Sequence, residues 1–334
     1  MMEITDKLKE RFVRDFRIPL KLFREPYFTE RLALYDKQFG TLEKWNSFLE
    51  ALKPYASDEE YFAEYNRIKD EAINFIKGTE AYQRFNELDM NQFAISPEHR
   101  NLSSKDVYHY ANIGRLYVSI DMRKANFNTL RYFDASMFDG AETWEDFLKK
   151  FTDNENIINS KYIREVILGN CNPKRHITYE KYLMDQILTN LEKEGLDIND
   201  VVFFSNDEIV IDITEGSTFT DFELFDCIQR VEMKTPVPLR VESFAVIGIL
   251  NVKTNETIGY MRAMSDQTVD FKCLNNLTYP YVLRALNGEE VQDSDLVFEH
   301  EGSLAKYLEK PDIAFTDELG IITMEEIFER GEEF

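Results

Sequence analysis

The chain has 334 residues and a formal net charge of −23, from 39 Lys+Arg against 62 Asp+Glu. A protein that binds long nucleic acid over its whole surface needs an excess of cations, so this balance excludes that mode and leaves only a locally basic groove. Hydrophobic residues make up 43% of the chain, including 26 Phe and 17 Tyr, which excludes an acidic disordered protein.

Cysteine and histidine usage narrows the compartment and the metal chemistry. Cys171, Cys227 and Cys273 are widely spaced, which favours a reducing compartment over a disulfide framework. No apolar run approaches the ~18 residues of a membrane span, and the first residues lack a signal-peptide core, so we expect a cytoplasmic protein with no membrane contact. The four histidines never fall at i, i+4, so no histidine-based metal site is predicted.

Residues 1–95 have the pattern of a helical region. Ser57 and Glu60 form a capping-box motif, apolar residues then recur at helical spacing, and Gly78 stands where a helix would end. Proline, asparagine and serine residues interrupt the helical pattern between 91 and 114 and predict a boundary there. We therefore expect an N-terminal helical region at 1–95, followed by a second domain at 96–275.

The second domain begins where the spacing of apolar residues changes from a helical pattern to a strand-like pattern. RLYVSID (115–121) is a strand-like run that ends in an acid, and helical segments follow it, the clearest at 177–195. Strand-like runs at 201–205 and 208–213 are separated by Asn206-Asp207, a strong hairpin signal. A helix and three further strands follow, beginning with 239–251. This order predicts an α+β protein with a ferredoxin-like, split βαβ core and a helical insertion at 140–195.

The C-terminal region, 276–334, is strongly acidic. Residues 288–334 hold 15 Asp+Glu and 3 Lys+Arg, a net charge of −12 that is about half of the total. We expect this region to offer a surface for a protein partner.

Two carboxylates are the candidate centre of the chemistry. In a ferredoxin-like sheet the first strand and the central hairpin are neighbours, which predicts that Asp121 and Asp207 lie side by side. Carboxylates held close together repel each other, and a divalent cation relieves that repulsion. Because the ligands are oxygens, we expect Mg²⁺ or Mn²⁺, with Glu208 as an auxiliary ligand.

The same residues carry a family resemblance. SIDMRKANF, with Asp121, Ala125 and Phe127, resembles motif A of palm-domain polymerases, whose reverse-transcriptase form is Asp-x-x-x-Ala-x-Phe. FFSNDEIVIDI (203–213) is similar to motif C, the His-Asp-Glu hairpin of family A DNA polymerases and the x-Asp-Asp hairpin of reverse transcriptases. Residues 159–188 stand where motif B belongs. The resemblance covers about 115–275, roughly half of the chain.

The resemblance implies a metal-dependent nucleotidyltransferase, most simply a compact DNA or RNA polymerase that adds nucleotides to a 3′-hydroxyl. Asp121 and Asp207 would be its catalytic metal ligands, and 140–195 would act as a fingers-like insertion. The implied partners are nucleoside triphosphates and a nucleic acid primer and template. The predicted substrate-binding residues are Lys161, Arg164, Lys174, Arg175 and Arg123.

Departures from the family patterns leave alternatives open. The aromatic residue and Tyr-Gly of family A motif B are absent, and Asn206 leaves a single aspartate at the hairpin tip. The hairpin is also similar to the Gly-Gly-Asp-Glu-Phe hairpin of diguanylate cyclases, although Ser205 and Asn206 replace its glycines. A nucleotide cyclase or oligonucleotide synthetase is therefore one alternative, and a non-catalytic palm relic acting as an acidic interaction protein is another. In the plainest interpretation Asp207 is a turn residue and Asp121 a helix cap.

Overall fold

The computed structural model describes residues 3–105, 107–214, 221–235 and 237–332. Helices and antiparallel strands share a main hydrophobic core, which runs from the first helix to the last, and a smaller buried cluster lies apart from it on the sheet. The expected α+β class is therefore confirmed. The division of the chain at residue 95 stays a prediction, since this core spans it.

In the described part of the N-terminal region, residues 3–95, the α-helices number five. They are α1 (Asp6–Asp15), α2 (Tyr27–Phe39), α3 (Thr41–Leu52), α4 (Asp58–Gly78) and α5 (Glu80–Glu87). Ser57 caps α4 as predicted, its hydroxyl accepting from the Glu60 N–H at 3.3 Å. The reciprocal half of the motif is shifted, because the Glu60 carboxylate accepts from the Ala56 N–H instead. The predicted C′ residue, Gly78, is instead the last helical residue of α4, and Thr79 follows it as the C-cap.

The strands follow the predicted order, with additions from the C-terminal region. They are β1 (Leu116–Met122), β2 (Val201–Phe204), β3 (Glu208–Asp212), β4 (Leu239–Asn251), β5 (Glu256–Met264), β6 (Val269–Lys272), β7 (Val297–His300), β8 (Ser303–Lys306), β9 (Ile313–Thr316) and β10 (Ile321–Ile322). The main sheet has the order β10-β9-β4-β1-β3-β2, with β5 on the other edge of β4 and β6 beside β5. All pairings in it are antiparallel, and β7 and β8 form a separate hairpin.

The register of β1 fixes which residues share a face of the sheet. Asp121 lies opposite Glu208 on β3 and Arg240 on β4, so these three side chains point to the same face. The alternate residues Val118 and Ile120 are fully buried in the main core on the other face. One face of the sheet thus packs against helices, while the opposite face carries charge at the end of β1.

The remaining helices cover the buried face and line the site. They are α6 (Ala125–Phe133), α7 (Trp144–Leu148), α8 (Glu155–Asn159), α9 (Lys161–Gly169), α10 (Pro173–Lys193), α11 (Asp221–Glu232), α12 (Tyr279–Leu286) and α13 (Met324–Glu332). α10 begins four residues earlier than predicted because Pro173 occupies its first turn, where proline is favoured. It ends just before Gly195, which has φ 114° as a helix-terminating glycine.

The acidic C-terminal region is part of this fold. β9 pairs with β4 along the same edge as β1, further along the strand, and α13 packs on the sheet with Ile327 fully buried. Within the described ranges, no helix is both long and apolar enough to cross a membrane.

Candidate functional site

A cavity of about 350 Å³ opens at the end of β1, within the size range of small-molecule sites. The hairpin turn between β2 and β3 forms one side of it, and α6, α9 and α10 form the others. Four residues predicted from the sequence line it together: Asp121, Asp207, Lys161 and Arg164. Lys124, His176 and Glu180 line it as well.

Strand pairing brings the two aspartates together. The Met122 N–H donates to the Asp207 carbonyl at 2.9 Å, which closes the β1–β3 ladder at the turn. The Ser205 hydroxyl bonds to the Asp207 carboxylate at 3.1 Å and shapes the turn. The predicted adjacency of the strand end and the hairpin turn is therefore confirmed.

Asp121 lies in an electrostatically demanding position. Burial raises its pKa to about 6, the nearby Asp207 and Glu208 carboxylates add to the rise, and Arg240 opposes it. Arg240 donates to the Asp121 carboxylate at 3.0 Å. Any additional positive charge that binds beside these carboxylates therefore stabilises their ionised form.

Glu208 lies on the same sheet face as Asp121 but faces different partners. Its carboxylate accepts from the Ser119 hydroxyl at 2.7 Å and from the buried Arg262 at 2.9 Å. It is not among the cavity-lining residues. Both hydrogen bonds go to Oε1, and the auxiliary ligand role predicted for Glu208 stays a prediction.

α9 supplies two cations to one wall of the cavity, together with Glu165, whose carboxylate lies 4.0 Å from Lys161 Nζ. Ser160 caps this helix, accepting from the Ile163 N–H at 3.1 Å while donating to the buried Asp15 of α1 at 2.8 Å. Lys161 and Arg164 follow, one turn apart. Burial and the nearby Arg17 lower the pKa of both groups, and Arg164 has a buried Nε with no hydrogen-bond partner. Cations that destabilise one another in this way favour a bound anion.

Three predicted substrate-binding residues do not line the cavity. Arg175 donates to the Phe85 carbonyl at 2.9 Å and to the Leu88 carbonyl at 2.5 Å, which ties α10 to the end of α5. Arg123 donates to the Leu239 carbonyl at 2.9 Å, and Lys174 is exposed. A cluster of basic residues in the sequence does not specify which of them face inward. Here Lys174 and Arg175 lie in the first turn of α10, and Arg123 lies in the turn between β1 and α6.

Lys124 lines the cavity on the side where Arg123 was expected. It adopts the left-handed conformation, with φ 45°, at the start of α6 and donates to Glu145 at 2.7 Å. The residues after Asp121 therefore turn sharply, so that the second cation of the Arg-Lys pair, rather than the first, reaches the site.

Sequence reasoning missed His176 and Glu180, which lie one turn apart on α10 and are only 3% and 4% exposed. Burial raises the pKa of Glu180 to about 7, and its carboxylate accepts from Asn206 at 3.0 Å. Burial lowers the pKa of His176 to about 4, and its Nε2 atom has no hydrogen-bond partner. The sequence did contain one signal for a buried acid. Glu180 has the helical spacing that places it on the same face of α10 as the apolar Leu183 and Ile187.

A second buried polar cluster lies further along α10, outside the cavity. His99 bonds through Nδ1 to Asp185 at 2.7 Å and through Nε2 to Glu192 at 2.8 Å. The Ser96 N–H also donates to Asp185, at 3.0 Å. We call these four residues the His99 cluster, and each of its buried side chains is hydrogen-bonded.

Over the part of the chain that the structure describes, no group of three or more His, Cys, Asp or Glu side chains is arranged to hold a metal ion. No family model, no curated protein and no solved structure matches the chain. What the protein does is therefore inferred from its sheet and its cavity.

Proposed function

We propose that this protein is a metal-dependent nucleotidyltransferase with a ferredoxin-like palm, acting as a compact DNA or RNA polymerase. One observation carries the proposal. Asp121 and Asp207 meet at the end of a central strand and share a cavity of small-molecule size with Lys161 and Arg164. Paired carboxylates facing paired cations suit a triphosphate bound together with a divalent cation.

The strand order supports the palm. β1, β2, β3 and β4 occur in the spatial order β4-β1-β3-β2 with antiparallel neighbours, and helices connect β1 to β2 and β3 to β4. This is the order of a split βαβ unit. The end of β1 and the turn of the β2–β3 hairpin are then adjacent, and the connecting helices α6, α9 and α10 line the cavity beside them.

The donor set at this sheet end fits Mg²⁺ or Mn²⁺. Asp121 and Asp207 offer hard oxygen ligands, and Mg²⁺ typically binds one or two carboxylates together with waters and substrate phosphates. A third protein side chain is therefore not required. When bound, such an ion supplies charge neutralisation for the triphosphate and activation of the attacking hydroxyl.

The protein's own groups would bind and orient the substrate. Lys161 and Arg164 project from the first turns of α9 and would hold the triphosphate oxygens. Lys124, at the start of α6, also lines the cavity, where it is paired with Glu145. In a partly buried cavity these charges act more strongly than in water, so catalysis would rest on positioning and on neutralisation of the phosphates.

Two isosteric substitutions test the proposal. Asp121→Asn and Asp207→Asn should each reduce Mg²⁺-dependent addition of labelled nucleotide to a primer by at least ~100-fold, because each removes a metal-binding charge without changing shape. Asp226→Asn, an exposed aspartate of α11, is the matched control and should retain full activity. Unchanged incorporation by both site variants would refute the assignment.

The same assay separates the alternatives. A cyclase or oligonucleotide synthetase would convert triphosphates to small products without primer or template. A palm relic would show no metal-dependent turnover under any of these conditions.

A further inference from the structure

We infer that Asp15 is a positioning residue, which holds α9 in the place where Lys161 and Arg164 bind the phosphates of the substrate. The inference rests on the proposed function, since it concerns how the phosphate-binding wall of the same cavity is held. It goes beyond that function because Asp15 belongs to α1, in the N-terminal helical region, and is not among the residues that line the cavity.

The Asp15 carboxylate is buried at the end of α1, where α4 and α9 also meet it. Its Oδ1 atom accepts from the Ser160 hydroxyl at 2.8 Å and lies 3.5 Å from the Tyr65 hydroxyl and 3.6 Å from the Arg11 guanidinium. Burial raises the pKa of Asp15 to about 6, and the contacts with Arg11 and Ser160 oppose that rise. At pH 7.5 the carboxylate is therefore charged, and a hydrogen bond to a charged acceptor is stronger than one between neutral groups.

Ser160 links this carboxylate to the first turn of α9. Its hydroxyl, which donates to Asp15, also accepts from the Ile163 N–H at 3.1 Å, so the same oxygen atom caps the helix. Lys161 is the first residue of α9, Arg164 follows one turn later, and both line the cavity. A displacement of Ser160 would therefore move both cations relative to the two aspartates of the sheet.

A second contact joins the same two parts of the chain. Arg17, two residues after Asp15, forms an ion pair with Glu165 of α9. Glu165 follows Ser160 by five residues, which is about 7.5 Å along the helix axis, so α9 is held at two separate points. The side chains of Arg17 and Glu165 are 48% and 35% exposed, and exposed ion pairs contribute little stability. The buried contact of Asp15 is therefore the stronger of the two.

The two sides of the cavity thus have different supports. Asp121 and Asp207 are held by the pairing of β1 with β3, which does not involve α1. Loss of the Asp15 contact should therefore weaken phosphate binding and leave metal binding by the two aspartates unchanged. A general loss of stability would weaken both.

Two binding measurements on the whole chain at pH 7.5 test this inference. The probes are inorganic tripolyphosphate with Mg²⁺, titrated calorimetrically, and Mn²⁺ alone, followed by electron paramagnetic resonance. Asp15→Ala should bind tripolyphosphate about tenfold more weakly than the wild-type chain, because a small displacement of a binding group costs an order of magnitude or more. Its affinity for Mn²⁺ should not change. Asp15→Asn, which retains an acceptor for Ser160, should recover most of the tripolyphosphate affinity.

Three further variants show whether Asp15 acts through α9. Ser160→Gly should reproduce the loss, because glycine also begins helices but has no hydroxyl to bind Asp15. In a Lys161→Met background, Asp15→Ala should cause a smaller further loss than it does in the wild-type chain, since the two residues act together. Asp58→Ala is the matched control, because Asp58 accepts from Thr5 at 2.9 Å and ties the other end of α1 to α4. It should leave both affinities unchanged.

Thermal unfolding of each variant confirms that it is folded at the temperature of the titrations, and Ser160→Gly decides the matter if Asp15→Ala does not fold. Unchanged tripolyphosphate affinity in these variants would overturn the inference, as would an equal loss of affinity for both probes. If the wild-type chain binds Mn²⁺ and Asp121→Asn binds it more weakly, such a result removes the role of Asp15 alone. Failure of the wild-type chain to bind either probe would overturn the proposed function as well.

Discussion

The two halves of α10 bury polar side chains in opposite ways. In the first half, His176 has an unpartnered Nε2 and Glu180 has a pKa raised by burial to about 7. In the second half, Asp185 accepts from His99 and from Ser96 and is 1% exposed. Burial is similar in both halves, and the unpartnered Nε2 of His176 distinguishes the first half, since Glu180 accepts from Asn206. Polar groups that bind one another stabilise the fold, whereas a buried polar atom without a partner destabilises it.

The largest expected effect on stability is in the second half of α10, where the buried polar side chains are hydrogen-bonded to one another. Asp185→Asn should lower the free energy of unfolding by about 4 kcal/mol, because it removes the charge that His99 and the Ser96 N–H both bind in a buried position. Urea denaturation at pH 6 measures this loss. Glu192→Gln is the matched control, since Glu192 contacts the other nitrogen of His99 but its side chain is 31% exposed. An equal loss in both variants would show that burial of the partner does not matter here.

The same change of acid to amide should have the opposite effect on stability in the first half of α10. Glu180→Gln should raise the free energy of unfolding at pH 8 by about 2 kcal/mol, because the folded protein binds the Glu180 proton more tightly than the unfolded chain does. The amide can still accept from Asn206. The gain should shrink as the pH falls from about 7 to about 4.5, where both states of the wild-type residue become protonated. A destabilised variant at pH 8 would contradict the comparison.

The smallest expected effect is a pH dependence that sharpens the role of the His99 cluster. Burial lowers the pKa of His99, but its bonds to Asp185 and Glu192 outweigh that, so the folded pKa lies above its usual value. The stabilisation is therefore complete below the unfolded pKa of about 6.5 and is lost as the pH rises through the folded value.

The difference in melting temperature between the wild-type chain and His99→Gln should consequently narrow from pH 6 to pH 9. A difference that stays constant over this range would mean that the charge of His99 contributes nothing.

Local patterns were sufficient for much of the fold. Alternating apolar residues predicted β4 at 239–251, and the Asn206-Asp207 pair predicted the β2–β3 hairpin. Both signals depend only on residues that are neighbours in the sequence. The pairing of β9 with β4 was not predicted, since it joins residues about 65 positions apart and leaves no local trace.

For the candidate site, too, some features could be predicted from the sequence and others could not. The adjacency of Asp121 and Asp207 follows from strand order, and the structure has it. Which basic residues face the cavity depends on side-chain direction at single positions, so Lys124 lines it while Arg175 bonds to the end of α5. His176 and Glu180 were missed because a buried polar residue on a helix has a functional meaning only when its partners are known.

The strand β4 also decides how the acidity of this protein can be altered. Its first residues pair with β1 beside Asp121, and its last residues pair with β9 of the acidic C-terminal region. Deleting that region to reduce the charge would therefore strip a strand from the edge of β4 and remove the buried Ile327 from the core. Charge and architecture cannot be separated here by truncation. Only point changes at exposed acids, such as those on α13, would neutralise the region and leave the sheet intact.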